Sequence, residues 1–194
     1  MAAESAASEG AAAPLIVSVS GIRGVVGRSL TPQIVADFAA AYGASRAGGT
    51  VAVARDGRST GEMFAQAASA ALAATGCRVL DLGVAATPTI GFYVKHCGAA
   101  GGVQISASHN PPEWNGLKLF RSEGFVLSPA DGLKVADAYL QKRFQFAAWD
   151  GVGTFAKVGD PHAPHQERVL SLVDAGRIRR RKFKVVLDAN HGAR

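Results

Sequence analysis

From Ile16 onward, short β-branched runs alternate with longer alanine-rich amphipathic runs, an alternation that restricts the chain to an α/β architecture with a largely parallel or mixed sheet. The spacing predicts strands over 16–18, 50–54, 78–82, 102–106 and 117–120. Three helix starts share one local grammar: Thr31-Pro32, Thr87-Pro88 and Ser128-Pro129. In each pair the hydroxyl can accept from an orphan amide, and proline takes the first helical position, where its missing N–H costs nothing. The first helix should run over 32–46, burying Ile34, Val35, Phe38 and Tyr42, with Gly48 ending it. A second, starting near Thr60, should turn Met63, Phe64, Ala67, Ala71 and Leu72 inward and stop at Gly76. The Thr87 helix should end near Cys97 and Gly98, and the Ser128 helix should continue through Val135, Ala138 and Tyr139.

Beyond that point the pattern changes. Residues 144–161 lose all periodicity and gather Gly, Asp and Pro, which reads as a linker or surface excursion. A helix over 165–175 should lead to a basic segment, and Val185-Val186-Leu187-Asp188 looks like a buried strand opening a second unit, followed by Ala189-Asn190-His191-Gly192. The expected division is a disordered leader over 1–13, a domain over 14–145, a linker and basic helix end over 146–182, and the start of a truncated domain over 183–194.

Composition narrows the class. With 48% hydrophobic and 19% charged residues in 194, the chain is too apolar for disorder, and no apolar run reaches the ~20 residues of a membrane span. The +6 charge is local: Arg177, Arg179, Arg180, Arg181, Lys182 and Lys184 supply all of it, leaving 15 basic against 15 acidic residues elsewhere. A solvated linker is the ordinary reading of such a cluster; the alternative is a basic nucleic-acid-binding module over Arg177 to Lys184, although no aromatic residue except Phe183 interleaves with the arginines. Cys77 and Cys97 form no close pair and have no histidines at zinc spacing, which fits a reduced, cytoplasmic setting. No membrane or nucleic-acid partner is expected.

Four glycine-rich or polar stretches fall at predicted strand ends, where α/β sheets place ligands. Ser20-Gly21-Ile22-Arg23-Gly24-Val25-Val26-Gly27 fits neither a dinucleotide fingerprint nor a phosphate loop, yet Arg23 between glycines offers forked donors to a phosphate. In Arg55-Asp56-Gly57-Arg58-Ser59-Thr60-Gly61, Asp56 can brace Arg58, and Ser59 or Thr60 can cap the helix. Gln104-Ile105-Ser106-Ala107-Ser108-His109-Asn110-Pro111-Pro112 presents Ser108 to a cleft as a nucleophile. Ser108 and His109 do not make a serine hydrolase: neighbours on an extended chain face opposite ways, and the Gly-x-Ser-x-Gly elbow is absent. Asn115-Gly116-Leu117-Lys118 follows, and a short hairpin can return Lys118 toward Ser108.

Taken in this order, Gly-Ile-Arg-Gly, Arg-Asp-Gly-Arg-Ser-Thr-Gly, Ser-Ala-Ser-His-Asn-Pro-Pro and Asn-Gly-Leu-Lys closely resemble the N-terminal domain of the α-D-phosphohexomutase superfamily, which includes phosphoglucosamine mutases, phosphomannomutases and phosphoglucomutases. The resemblance covers roughly 17–140, and Val185-Val186-Leu187-Asp188-Ala189-Asn190-His191-Gly192 looks like the first strand of the family's second domain. It implies a three-layer α/β/α domain with a mixed sheet, plus the first strand of a truncated α/β domain.

The resemblance also implies chemistry. Ser108 matches the serine carried as phosphoserine, which gives its phosphoryl group to a hexose monophosphate and recovers one from the other end of a hexose 1,6-bisphosphate. Arg23 and Lys118 match positions beside that serine. Arginine keeps its proton, so Arg23 is assigned electrostatics, with acid–base work left mainly to Lys118 or His109. His109 and Asn110 shape the loop, and Asp56 and Arg58 are expected to support it. Magnesium is implied, held by the Ser108 phosphate and by an aspartate cluster of the second domain. The chain departs from the family at Ala54, Gly57 and Thr60, and more deeply in length, since family members have four domains and are more than twice as long. It is therefore expected to be inactive alone. Ile-Ser-Ala-Ser-His-Asn-Pro leans toward phosphoglucosamine mutase, while Pro-Pro-Glu-Trp-Asn-Gly-Leu-Lys is equally at home in phosphomannomutase-like members.

Overall fold

The computed structural model describes residues 14–46, 48–189 and 192–193. The expected leader over 1–13 and the tail residues Asn190, His191 and Arg194 lie outside them. Seven strands, β1 (Ile16–Ser18), β2 (Gly21–Val25), β3 (Thr50–Arg55), β4 (Arg78–Val84), β5 (Gly101–Ile105), β6 (Trp114–Arg121) and β7 (Phe155–Lys157), form one sheet. Its order is β1-β2-β6-β5-β3-β4-β7. The β5-β3-β4-β7 part is parallel and the β1-β2-β6-β5 part antiparallel, so the sheet is mixed.

Strand alternation sorts the core into two layers. Val51 and Val53 of β3 join Val103, Leu117 and Leu119 against helices α1 (Pro32–Ala44), α2 (Gly61–Ala74) and α4 (Pro129–Leu140), which contribute Val35, Phe38, Phe64, Leu72 and Val135. Ala52 and Ala54 face the other way, with Phe120, against Ile90 and Val94 of α3 (Thr87–His96). Helix α5 (Ala163–Ser171) lies on α3, where His165 stacks on Phe92 at 5.3 Å between ring centroids. The α/β/α layering and mixed sheet are those expected.

Two of the three helix starts use their predicted caps: Thr31 Oγ1 accepts from the Ile34 amide at 3.3 Å, and Ser128 Oγ from the Asp131 amide at 3.2 Å. Thr87 is instead the first residue of α3, with Ala86 at the cap and Pro88 in the first turn. Met63 is 41% exposed rather than buried, because the inward stripe of α2 runs through Phe64, Ala68, Ala71 and Leu72. Within the glycine-rich stretch 20–27, expected only to flank a strand, residues 21–25 are themselves a strand, since β6 supplies them with a full antiparallel ladder. The aperiodic stretch 144–161 contains β7, which pairs with β4 in parallel and is held at its entry by the Val79 amide donating to the Thr154 carbonyl at 2.7 Å. The helix expected over 165–175 breaks into α5 and the basic helix α6 (Ala175–Arg180), capped by the Asp174 carboxylate at 2.8 Å from the Arg177 amide. Val185, Val186 and Leu187 form neither a strand nor a buried run: they are exposed, and among the described residues no strand lies beside them.

One packing detail ties α1 to the sheet. The Tyr42 hydroxyl reaches down from α1 to the sheet and donates to the Phe120 carbonyl at 2.6 Å, and the ring is fully buried. It passes over Gly101, where a Cβ would lie 1.9 Å from Tyr42 Oη, so only glycine fits beneath it. Burial pushes the Tyr42 phenol well above its ordinary range.

Candidate active site

In parallel pairing, Arg55 stands level with Ile105, which brings the carboxyl ends of β3 and β5 to the same edge of the sheet. Because β6 returns antiparallel to β5, its first residues lie at that edge too, as does the end of β2, where the Val26 amide donates to the Glu113 carbonyl at 2.9 Å. Three of the four sequence motifs therefore meet at one edge, and the fourth runs inward from it along β6.

The loop after β5 is locally wound. The Ser108 amide donates to Ser106 Oγ at 3.0 Å, the Asn110 amide to the Ala107 carbonyl at 3.1 Å, and the Trp114 amide to the Pro111 carbonyl at 3.0 Å as the chain turns into β6. Ser108 takes a left-handed backbone with φ 58°, an unusual state for a non-glycine residue. As a result Ser108 Oγ and His109 Nδ1 lie 3.4 Å apart. The expectation that the two side chains face opposite ways fails, because it assumed an extended chain. The pair still lacks the third member of a hydrolytic triad: among the described residues no carboxylate contacts His109.

Asp56 and Arg58 approach this loop from the other side. Asp56 accepts from the Arg58 backbone amide and from Arg58 Nε, both at 3.1 Å, while the guanidinium reaches the loop carbonyls of Ser108, Asn110, Pro111 and Trp114 at 2.6 to 3.0 Å. Arg23 Nη1 donates to Asn110 Oδ1 at 2.7 Å; its other donors make no hydrogen bond among the described residues. Asp56, Arg58, Ser106, Ser108, His109 and Asn110 line one open cavity of about 610 Å³, with Gly192 and Ala193 along its side. Lys118 is set back from it, opposite Gly21 on β2 and Gln104 on β5, on the sheet face it shares with Arg23. A separate cleft of about 470 Å³ between α2 and the β4–β7 edge includes Arg55, Glu62, Asp81 and Lys157, but none of the expected site residues.

Three residues inside these motifs have supporting roles that sequence reasoning did not assign. Ser106 fixes the Ser108 amide, as above. Asn115 is fully buried and donates from Nδ2 to Thr60 Oγ1 at 2.9 Å, which ties β6 to the start of α2; the Thr60 hydroxyl makes no cap bond to that helix. Gly116 lets β2 and β6 approach closely: a Cβ there would meet the Ile22 carbonyl oxygen at 2.3 Å. The Asn-Gly pair signals a turn by composition, whereas here it lies in a strand.

Fold and loop together define an α/β/α domain that displays a serine hydroxyl at its strand ends, on a loop that is also bonded, at Asn110, by an arginine with free donors. Residues 15–146 match the model of "Phosphoglucomutase/phosphomannomutase, alpha/beta/alpha domain I", and the chain belongs to this family. A phosphoglucomutase/phosphomannomutase of Thermococcus kodakarensis is 36% identical over 178 residues, 89% of this chain and 39% of that protein. A probable phosphoglucosamine mutase of Methanopyrus kandleri is 40% identical over 154 residues, covering 79% and 34%. The crystal structure of a putative phosphomannomutase from Thermus thermophilus superposes with a TM-score of 0.73 at 30% identity, over 86% of this chain and 38% of that one. The chain thus spans under two fifths of the length of the relatives it matches.

No helix among the described residues is long and apolar enough to cross a membrane.

Proposed function

We propose that this chain is the phosphoserine-bearing part of a phosphohexomutase, with Ser108 as the phosphoryl carrier. The observation that carries the reading is the placement of an exposed Ser108 hydroxyl on a loop pinned from both flanks, with Arg23 bonded to that same loop through one donor and its remaining donors free. A phosphoserine bears about −1.5 to −2 charges, so the guanidinium of Arg23 suits it. In the forward half-reaction the Ser108 Oγ–P bond breaks as a P–O bond forms to a hydroxyl of a hexose monophosphate. The sugar hydroxyl gives its proton to a base, Lys118 or His109, and that proton is passed on to Oγ as it leaves. The resulting hexose 1,6-bisphosphate returns its other phosphoryl group to Oγ by the reverse steps, interconverting the 1- and 6-phosphates. The sugar is read as glucosamine or mannose phosphate, in keeping with what the relatives are called.

Magnesium does not fit this chain by itself. Among the described residues no three His, Cys, Asp or Glu side chains gather to hold a metal, and no step above runs through one.

The test is phosphopeptide mapping and activity of the full-length protein carrying this chain. Phosphate is expected on Ser108, and Ser108→Ala should cut turnover of a hexose phosphate by more than about ten-thousand-fold. Phosphate elsewhere, with activity intact in the variant, overturns the reading. The 194 residues alone should turn over no hexose phosphate.

A further inference from the structure

A guanidinium has five N–H bonds in one plane. In Arg58 each has an acceptor: Nε to Asp56 Oδ2 at 3.1 Å, Nη1 to the Pro111 carbonyl at 2.6 Å and the Trp114 carbonyl at 2.9 Å, and Nη2 to the Ser108 carbonyl at 3.0 Å and the Asn110 carbonyl at 2.7 Å. The side chain is only 14% exposed. Nothing remains with which to bind a phosphate, in contrast to Arg23, which has one donor engaged on Asn110.

We infer that Arg58 is a positioning residue whose whole guanidinium fixes the 108–114 loop and thereby aims the Ser108 hydroxyl. The role in catalysis rests on the reading of Ser108 as the phosphoryl carrier. Four carbonyls spread over seven residues converge on one planar group, so the loop cannot flex at either end without breaking a charge-assisted bond. Pro111 and Pro112 have no amide hydrogen, so this stretch has few donors of its own to fold on. Ser108 sits in a left-handed backbone that persists only where its surroundings hold it, and its carbonyl is one of the four. Asp56 completes the arrangement by bridging Arg58 Nε and the Arg58 amide, which folds the side chain back toward the loop. A lysine at this place keeps the charge but has three donors on one nitrogen, and cannot serve acceptors fanned across a plane.

The experiment compares wild type with Arg58→Lys in the full-length protein. Amides of 108–115 should exchange with deuterium at least about tenfold faster in the variant, with those of β3 and β5 unchanged. Turnover of a hexose phosphate should show kcat lowered about a hundredfold and KM within about twofold, as a misaimed nucleophile requires. Unchanged exchange over 108–115 overturns the proposal; so does a raised KM with kcat intact, which would make Arg58 a substrate ligand. If Arg58→Lys fails to fold, Asp56→Asn keeps an acceptor but loses the charge, and should move exchange and kcat in the same directions by less. Wild type that never carries phosphate on Ser108 refutes the phosphoserine reading alone, because loop exchange still reports the clamp.

Discussion

Val51-Ala52-Val53-Ala54 and Val185-Val186-Leu187 are both short runs of β-forming residues, and they have opposite fates. The first is at most 1% exposed at every position; the second is 79%, 100% and 81% exposed. Composition does not separate them. What does is company: β3 has a parallel strand on each side and helices over both faces, while the later run has no strand beside it among the described residues. A strand is a property of a pairing, and a β-forming run only a candidate for one.

This contrast can be broken by mutation. Phe64→Ala, which removes the α2 ring from the layer holding Val51 and Val53, should cost about 3–5 kcal/mol of unfolding free energy. Chemical denaturation of the chain measures it, and a loss under about 1 kcal/mol means that this layer does not hold the fold. An intermediate effect comes from alkaline pH. An unfolded tyrosine ionises near pH 10, whereas buried Tyr42 keeps its proton, so its contribution is intact below about pH 10 and is lost as pH rises further. The unfolding free energy should fall there by up to about 1.4 kcal/mol per pH unit for this group. Cys77, also pushed up by burial, acts in the same direction and is retained in Tyr42→Phe, so the difference between the two pH slopes isolates Tyr42. Equal slopes would place that phenol in water. The smallest effect is Val186→Ser, expected within about 0.5 kcal/mol of wild type in the same denaturation measurement. A cost above about 1 kcal/mol would show that this run is covered and erase the contrast.

What the sequence made legible was local. Thr31 and Ser128 accept from amides three residues along the chain, and those helix starts can be read from the hydroxyl-proline grammar because both partners are neighbours in the chain. The Val and Ala alternation of β3 likewise announces two covered faces. β2 escaped because its Gly-Ile-Arg-Gly-Val carries two glycines and is made a strand by β6, about 90 residues onward. The site divides in the same way. The motifs marked Ser108, Arg23 and the Asp56–Arg58 pair, but the reach of Arg58 to four carbonyls 50 to 56 residues away, and the Asn115 bond to Thr60, depend on the register of β3, β5 and β6. The left-handed turn at Ser108 has no signature in residue type, and it alone undid the argument that Ser108 and His109 face apart.

The Tyr42 hydroxyl resting over Gly101 has a consequence for how such chains can diverge. The two positions lie in different elements, 59 residues apart, yet neither can change freely while the other stays. Any side chain at 101 collides with the phenol oxygen, and also falls 2.7 Å from the Phe120 carbonyl that the phenol satisfies. A lineage that acquires even a methyl group at 101 must therefore shorten residue 42 and find another donor for that carbonyl. Substitutions at 42 and 101 should consequently arrive together when related sequences are aligned, and a tyrosine at the first facing a bulky residue at the second would mark a misplaced gap between α1 and β5.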